Sequence, residues 1–272
     1  FENEDGNLNA QLSDVSAWLN TLYKGTELIQ GDNNADTIQG TDAAEVLSGR
    51  LGNDMMLGGG GNDLLMGGDG DDALSGGAGN DQLYGGIGQD KLDGGDGSDT
   101  YVVMGSSGSF EGYDSYDDTG SSGTDTIIMA GNGNVTLGLT AISGIEVIDA
   151  RGVAAGYQAL IGGDSGDNRW DFSKVTFMGN LMVTSGAGND WIFGSSGADT
   201  LQGGIGNDTL NGGIGNDKLY GEGGDDLFVF DSKFGQDIIV DFNTGHDHIK
   251  LGNDLLEGAC KFTIFSCLLY TS

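Results

Sequence analysis

The sequence predicts an all-β chain, wound as a solenoid of very short parallel strands with a short helix at its N-terminal end. Three observations carry this prediction. Glycine and aspartate recur with a nine-residue period, the second residue after each such acid is apolar, and 272 residues contain 54 glycines and no proline. Proline cannot donate to a β-ladder and isomerises slowly during folding, so its absence suits a long, regular ladder.

The repeat is clearest in "GGGGNDLLMGGDGDDALSGGAGNDQLYGG", residues 58–86. With the acid placed at position 6 of nine, a first block carries Asp36, Glu45, Asp54, Asp63, Asp72, Asp81, Asp90 and Asp99. Position 8 of the same repeats holds Ile38, Leu47, Met56, Leu65, Leu74, Leu83, Leu92 and Tyr101. A second block carries Asp190, Asp199, Asp208, Asp217 and Asp226, with Ile192, Leu201, Leu210, Leu219 and Phe228 at position 8. The chain is 37% apolar, so thirteen apolar residues in thirteen repeats would arise by chance roughly twice in a million. A flexible glycine-rich linker has no reason to keep that phase. One worn repeat extends the first block backwards, with Gly25, Glu27 and Ile29 at positions 4, 6 and 8.

Nine residues divide into a six-residue turn and a three-residue strand. Glycine supplies the positive φ angles of the turn without steric penalty. Side chains alternate along a strand, so position 8 faces the core and positions 7 and 9 face outward. Two repeats per coil make two parallel sheets, back to back. Residues 18 apart then stack one strand spacing apart, about 4.8 Å. Asp36, Asp54, Asp72 and Asp90 fall on one edge; Glu45, Asp63, Asp81 and Asp99 fall on the other. Carboxylates so stacked require a cation between them. An oxygen-only ligand set in a flexible loop favours calcium over magnesium, which keeps its waters, and over zinc, which prefers nitrogen and sulfur.

"GGAGNDQLY", "GGIGNDTLN" and "GGIGNDKLY" resemble the repeats-in-toxin (RTX) nonapeptide, GGxGxDxUx. The resemblance covers residues 31–102 and 185–229. It implies a right-handed parallel β-roll that holds calcium between successive coils, in a protein exported by type I secretion machinery. The ligands it implies are the position 6 acids named above. With them go loop carbonyls such as those of Gly58, Gly60, Gly67, Asp69, Gly76, Ala78, Gly203, Ile205, Gly212 and Ile214. About nine ions are expected: three along each edge of the first block and three in the second. "GDNNADTIQ" and "GTDAAEVLS" have Asn34 and Ala43 where glycine is expected, so these two loops should bind weakly and cap the stack. "GSSGADTLQ" and "GEGGDDLFV" each lack one glycine of the leading pair.

The remaining elements follow in chain order. In residues 1–21, Leu8, Leu12, Val15, Trp18 and Leu19, continued by Leu22, fall at helical spacing and predict an amphipathic capping helix. The first roll block spans 22–102. Residues 103–184 break the phase, since Asp99 and Asp190 are 91 apart, yet they keep strand-like runs such as "DTIIMA" and "GIEVIDA". They are expected to continue the sheets without calcium loops. The second block spans 185–229, and "FVFD", "DIIVDF" and "HIKL" provide capping strands to residue 256. Residues 257–272 change character, carry both cysteines and read as a non-native tail. Met55, Leu57, Leu64, Met66, Trp191 and Phe193 point outward, and the connecting segment or another domain is expected to cover at least one of these groups.

A formal net charge of −32 excludes binding to nucleic acid through phosphates and disfavours anionic membranes. No run of 18 apolar residues marks a transmembrane helix. The chain opens on Phe1, so an upstream domain is expected. "GGDSGDN" contains the GDSG string of serine proteases, with Ser165 in the nucleophile position, but no histidine precedes it. His246 and His248 form an HxH pair without a third nitrogen or thiol nearby. No catalytic constellation is therefore predicted. The leading expectation is a calcium-binding module of a secreted, extracellular protein. The alternatives are the C-terminal part of a secreted protease or lipase, and a segment of an adhesin.

Overall fold

The computed structural model describes residues 27–105, 111–231 and 234–252. The helix expected near the N-terminus and the tail from residue 257 lie outside these. Among the described residues there is no helix. Twenty-four strands, all pairing in parallel, form a β-solenoid of about 12 turns.

Neighbours in each sheet come from alternate strands of the chain, as two strands per coil requires. The first sheet has eight strands: Glu27–Gln30, Glu45–Leu51, Leu64–Asp69, Gln82–Ile87, Thr100–Gly105, Thr126–Gly131, Val147–Val153 and Thr176–Met178. Opposite it, eleven strands run unbroken through both nonapeptide blocks. They are Thr37–Gln39, Met55–Gly60, Ala73–Ala78, Lys91–Asp96, Asp114–Asp117, Val135–Ser143, Ala159–Gly162, Leu181–Thr184, Thr200–Ile205, Lys218–Gly223 and Ile238–Ile239. A third sheet joins Arg169–Asp171, Trp191–Phe193, Thr209–Asn211, Leu227–Phe230 and His248–Leu251. It begins in the coil where the first sheet ends: Arg169–Asp171 and Thr176–Met178 both lie between Ala159–Gly162 and Leu181–Thr184. The chain there makes two short strands in one coil, ending one sheet and starting the next.

Within the blocks the register is 18 residues, as in Leu65 with Leu83 and Leu201 with Leu219. All thirteen position 8 side chains are buried, none above 5% exposed. They form one column with the apolar residues of the middle segment, including Tyr116, Ile127, Ile148, Trp170 and Phe172. The connecting segment thus belongs to the same solenoid. Its coils are longer: Lys91 pairs with Ser115, 24 residues on, and Thr100 with Thr126, 26 residues on. Larger coils need more filling, and extra buried residues such as Val103, Met129, Leu139 and Ala150 supply it.

The outer faces differ from expectation in one respect. Leu64 is buried and Met66 half-buried, but what covers them is Val46 and Tyr84 on the flanking strands. These are positions 7 and 9 of the neighbouring coils, so the outer face covers itself there. Trp191 packs on Phe193, and the Arg169 guanidinium lies 4.1 Å over the Trp191 ring. Met55 and Leu57 stand exposed.

Leu83→Ala removes a fully buried rung of the column and should cost about 2–5 kcal/mol. Leu57→Ser should change stability by no more than about 0.5 kcal/mol. Urea unfolding in millimolar calcium compares the two; equal effects would contradict the assigned faces.

Candidate metal centre: the carboxylate ladder

Each coil is tied to the next through its position 6 acid. The backbone N–H of Asp54 donates to Oδ1 of Asp72 at 2.7 Å, Asp63 to Asp81 at 2.7 Å and Asp72 to Asp90 at 2.8 Å. In the second block Asp190 donates to Asp208 at 2.8 Å and Asp208 to Asp226 at 2.9 Å. The carbonyl of the same acid accepts the position 7 N–H of the next coil, as Asp54 does from Ala73 at 2.8 Å. Each acid that accepts such a bond therefore spends one carboxylate oxygen on the ladder.

The second oxygen is not spent. Oδ2 of Asp54, Asp63, Asp72, Asp81, Asp90, Asp99, Asp190, Asp208, Asp217 and Asp226 is buried with no hydrogen-bond partner. Leaving a charged acceptor so placed is costly unless something outside the chain satisfies it. The neighbouring groups show what that would be. A Cβ added at Gly67 would fall inside 3.0 Å of both Asp72 Oδ2 and the Gly85 carbonyl oxygen of the next coil. Glycine suits position 1 because a carboxylate and a carbonyl converge on the space a side chain would fill. Gly49, Gly58 and Gly76 are enclosed in the same way, by Asp54 with Gly67, Asp63 with Gly76 and Asp81 with Gly94. Oxygen-only cradles of this kind fit a hard divalent cation.

Backbone conformation at position 2 decides whether a cradle is open. Gly59, Gly68, Gly77, Gly86 and Gly95 all have positive φ, and so do the non-glycines Arg50 (86°) and Glu222 (68°). The acid of each of these loops has its free Oδ2. In the loops with Asp32, Thr41 or Ser195 at position 2, the N–H of that residue turns inward and donates to its own acid. Asp32 takes up Asp36 Oδ2 at 2.7 Å, Thr41 takes up Glu45 Oε2 at 3.0 Å and Ser195 takes up Asp199 Oδ2 at 2.6 Å. These three acids close on their own loops. The Asp36 and Glu45 loops, expected to bind weakly, are both closed in this way, and the Asp199 loop is closed as they are.

The carbonyls divide by position. Those of position 1, including Gly58, Gly67, Gly76 and Gly212, face the cradles. The position 3 carbonyls of Asp69 and Ile205 accept ladder bonds from Gly52 and Gly188, at 2.8 and 2.9 Å. At Ser185 a hydroxyl occupies the position 1 space and donates to the Gly203 carbonyl at 2.7 Å.

The ladder also runs past the nonapeptides, which the sequence reading missed. Asp90 donates to Asp114, Asp99 to Asp125, Asp125 to Glu146, Asn168 to Asp190, Asp217 to Asp237 and Asp226 to Asp247, at 2.7–3.1 Å. Each acceptor outside the repeats keeps the acid-x-apolar triplet, "DSY", "DTI", "EVI", "DII" and "DHI". That triplet is the signal the nine-residue phase concealed. Ser165 lies exposed in a turn held by Gly166 N–H to Asp164 Oδ1. His246 bonds Asp225, not His248.

Burial pushes the Asp72 carboxyl up to about 7, with the negative charges of Asp90 and Asp54 adding to it. Burial likewise raises Asp90, Asp99 and Asp217 to about 7 and Asp81 and Asp208 to about 6. In the cation-free roll these acids hold protons that the unfolded chain releases near 3.8. Their contribution to stability is full below that value and is lost as pH rises through about 6–7. In chelator, β-structure should therefore increase from pH 8 to pH 5, as followed by circular dichroism; a fall would contradict the buried column. Ser195→Gly should free Asp199 and raise the calcium affinity of that loop several-fold by calorimetry; unchanged affinity would sink the role given to position 2.

Comparison with known proteins agrees with the geometry. Residues 30–65, 66–101, 184–219 and 202–232 match four copies of the RTX calcium-binding nonapeptide repeat. No curated protein matches the chain. The repeats imply calcium binding, and the described fold is a structural repeat domain. The matched residues, 30–101 and 184–232, are similar to the RTX calcium-binding nonapeptide repeat and are wound into a parallel β-roll.

Proposed function

We propose that the chain is a calcium-loaded module of a secreted protein, which stays unfolded in the cell and folds after type I export. The observation that carries the reading is the file of bare Oδ2 atoms, one per open loop. Calcium would be held between consecutive coils by the paired acids 54/72, 63/81, 72/90, 81/99, 190/208 and 208/226, with position 1 carbonyls completing each cradle. The pair 217/237 is similarly open, since Asp237 Oδ2 is also without a partner. Pairs that include Asp36, Glu45 or Asp199 would be weaker. In 190/208 the Ser185 hydroxyl competes for the Gly203 carbonyl.

The energetics support a switch. Extracellular calcium modules have dissociation constants of about 10⁻⁴ to 10⁻³ M. At about 1 mM calcium and ~10⁻⁴ M affinity, each site adds about 1.4 kcal/mol, so six or seven add roughly 8–10 kcal/mol. That equals the whole stability of an ordinary domain. Without calcium, a charge of −32 and 54 glycines favour expansion.

Far-ultraviolet circular dichroism at neutral pH should report a largely unfolded chain in chelator and a β-rich one in millimolar calcium. Asp72→Ala, which removes an acid from 54/72 and 72/90, should move the folding midpoint to several-fold higher calcium. An identical β signal with and without chelator would refute the switch.

A further inference from the structure

At the junction of the first nonapeptide block with the enlarged coils, the ladder gains a carboxylate that it has nowhere in the repeats. Asp99 is the last acid of the block and Asp125 its partner one coil on, 26 residues later. Asp118 comes from the inserted stretch and is not a rung. One oxygen from each of the three lies within 4.8 Å of the others. All three residues are buried, at 1%, 8% and 5% exposed for Asp99, Asp118 and Asp125.

The hydrogen bonds fix these groups and leave one fully buried oxygen without a partner. Asp118 Oδ1 accepts the Gly120 N–H at 2.8 Å, and its Oδ2 accepts the Tyr101 hydroxyl at 2.9 Å. That hydroxyl accepts the Gly94 N–H at 2.7 Å. Asp125 Oδ1 accepts the Asp99 N–H at 2.8 Å. Asp99 Oδ1 accepts the Asp81 N–H at 2.7 Å, but its Oδ2 has no partner. This bare oxygen stands against Gly94, the glycine whose N–H is linked through Tyr101 to Asp118. Among the described residues no lysine or arginine pairs with the cluster: the ion pairs are Arg151 with Asp149 and His246 with Asp225.

We propose that Asp99, Asp118 and Asp125 form a divalent-cation site that takes one acid from the last nonapeptide and two from the coil after it. Three buried acids with no nitrogen or sulfur select a hard ion, and calcium is the one the rest of the roll is built for. Its charge count exceeds the two acids of a repeat cradle, so it binds more tightly. Because Asp118 and Asp125 belong to the inserted coil, this ion fastens the connecting segment to the first block. The site shares Asp99 with the 81/99 cradle, and Asp118, which takes no part in the ladder, is what sets it apart.

Asp118→Asn keeps one acceptor oxygen, for the Tyr101 hydroxyl, and removes the charge together with the acceptor of the Gly120 N–H. Calcium titration by calorimetry should show the tightest phase weakened at least tenfold in this variant, with the later phases unchanged. Asp63→Asn, which touches only repeat pairs, should leave the tightest phase intact and weaken later ones. If Asp118→Asn titrates like the unaltered chain while Asp63→Asn does not, this site is refuted and the repeat reading stands. If only Asp118→Asn has an effect, the site stands and the repeat reading falls. Crystals of the unaltered chain soaked in terbium give a second measurement, free of any folding defect. An anomalous peak among the three carboxylates supports the site, and density without one overturns it.

Discussion

The hydrogen bond from one coil's position 6 N–H to the next coil's carboxylate is the constraint on which the rest depends. It sets the coil spacing, because donor and acceptor must meet at 2.7–2.9 Å in the repeats. It also orients each acid so that Oδ1 is consumed and Oδ2 is presented to the interior of the loop. A carboxylate free to rotate would take both its oxygens to water. Held by one oxygen, it becomes half of a ligand set, and the next coil's carbonyl supplies the complement. Stability and cation binding therefore share the same atoms, and neither can be altered alone.

Glycine has two separate duties in this arrangement. At position 1 it leaves space where the acid and a carbonyl converge. At position 2 it permits a left-handed backbone that turns the N–H away from the acid. The second duty is conformational, not steric, and for that reason Arg50 and Glu222 can perform it at positive φ. L side chains adopt that region only with strain. Asp32, Thr41 and Ser195 do not adopt it, and their N–H groups neutralise the acid from within. The chain thus holds strained loops that need a cation beside relaxed ones that satisfy themselves.

Much of this was legible in the sequence because the repeat is strict. Position 8 named the core in all thirteen repeats, and the 18-residue register followed from two strands per coil. What escaped was whatever departed from nine. Insertions near residues 106–113 and 118–124 enlarge the coils without interrupting the ladder, so Asp114, Asp125 and Glu146 keep their rungs while losing their phase. Their recognition needed only the acid-x-apolar triplet, since the strand, not the turn, carries the register. The self-covering of Leu64 and Met66 was hidden for another reason: it depends on which outward residues are neighbours across 18 positions, Val46 and Tyr84, and not on their spacing along the chain.

The ladder bond also gives the solenoid a direction. Every rung takes its donor from the earlier coil and its acceptor from the later one, so the two ends of the stack are chemically unlike. A terminal coil at one end offers acceptors and at the other end donors, and two such ends fit head to tail. Unblocked, they would template filaments. Asp36 and Glu45, the first two repeat acids among the described strands after Glu27–Gln30, are folded back onto Asp32 and Thr41, and such closure blunts that polarity with groups drawn from their own loops.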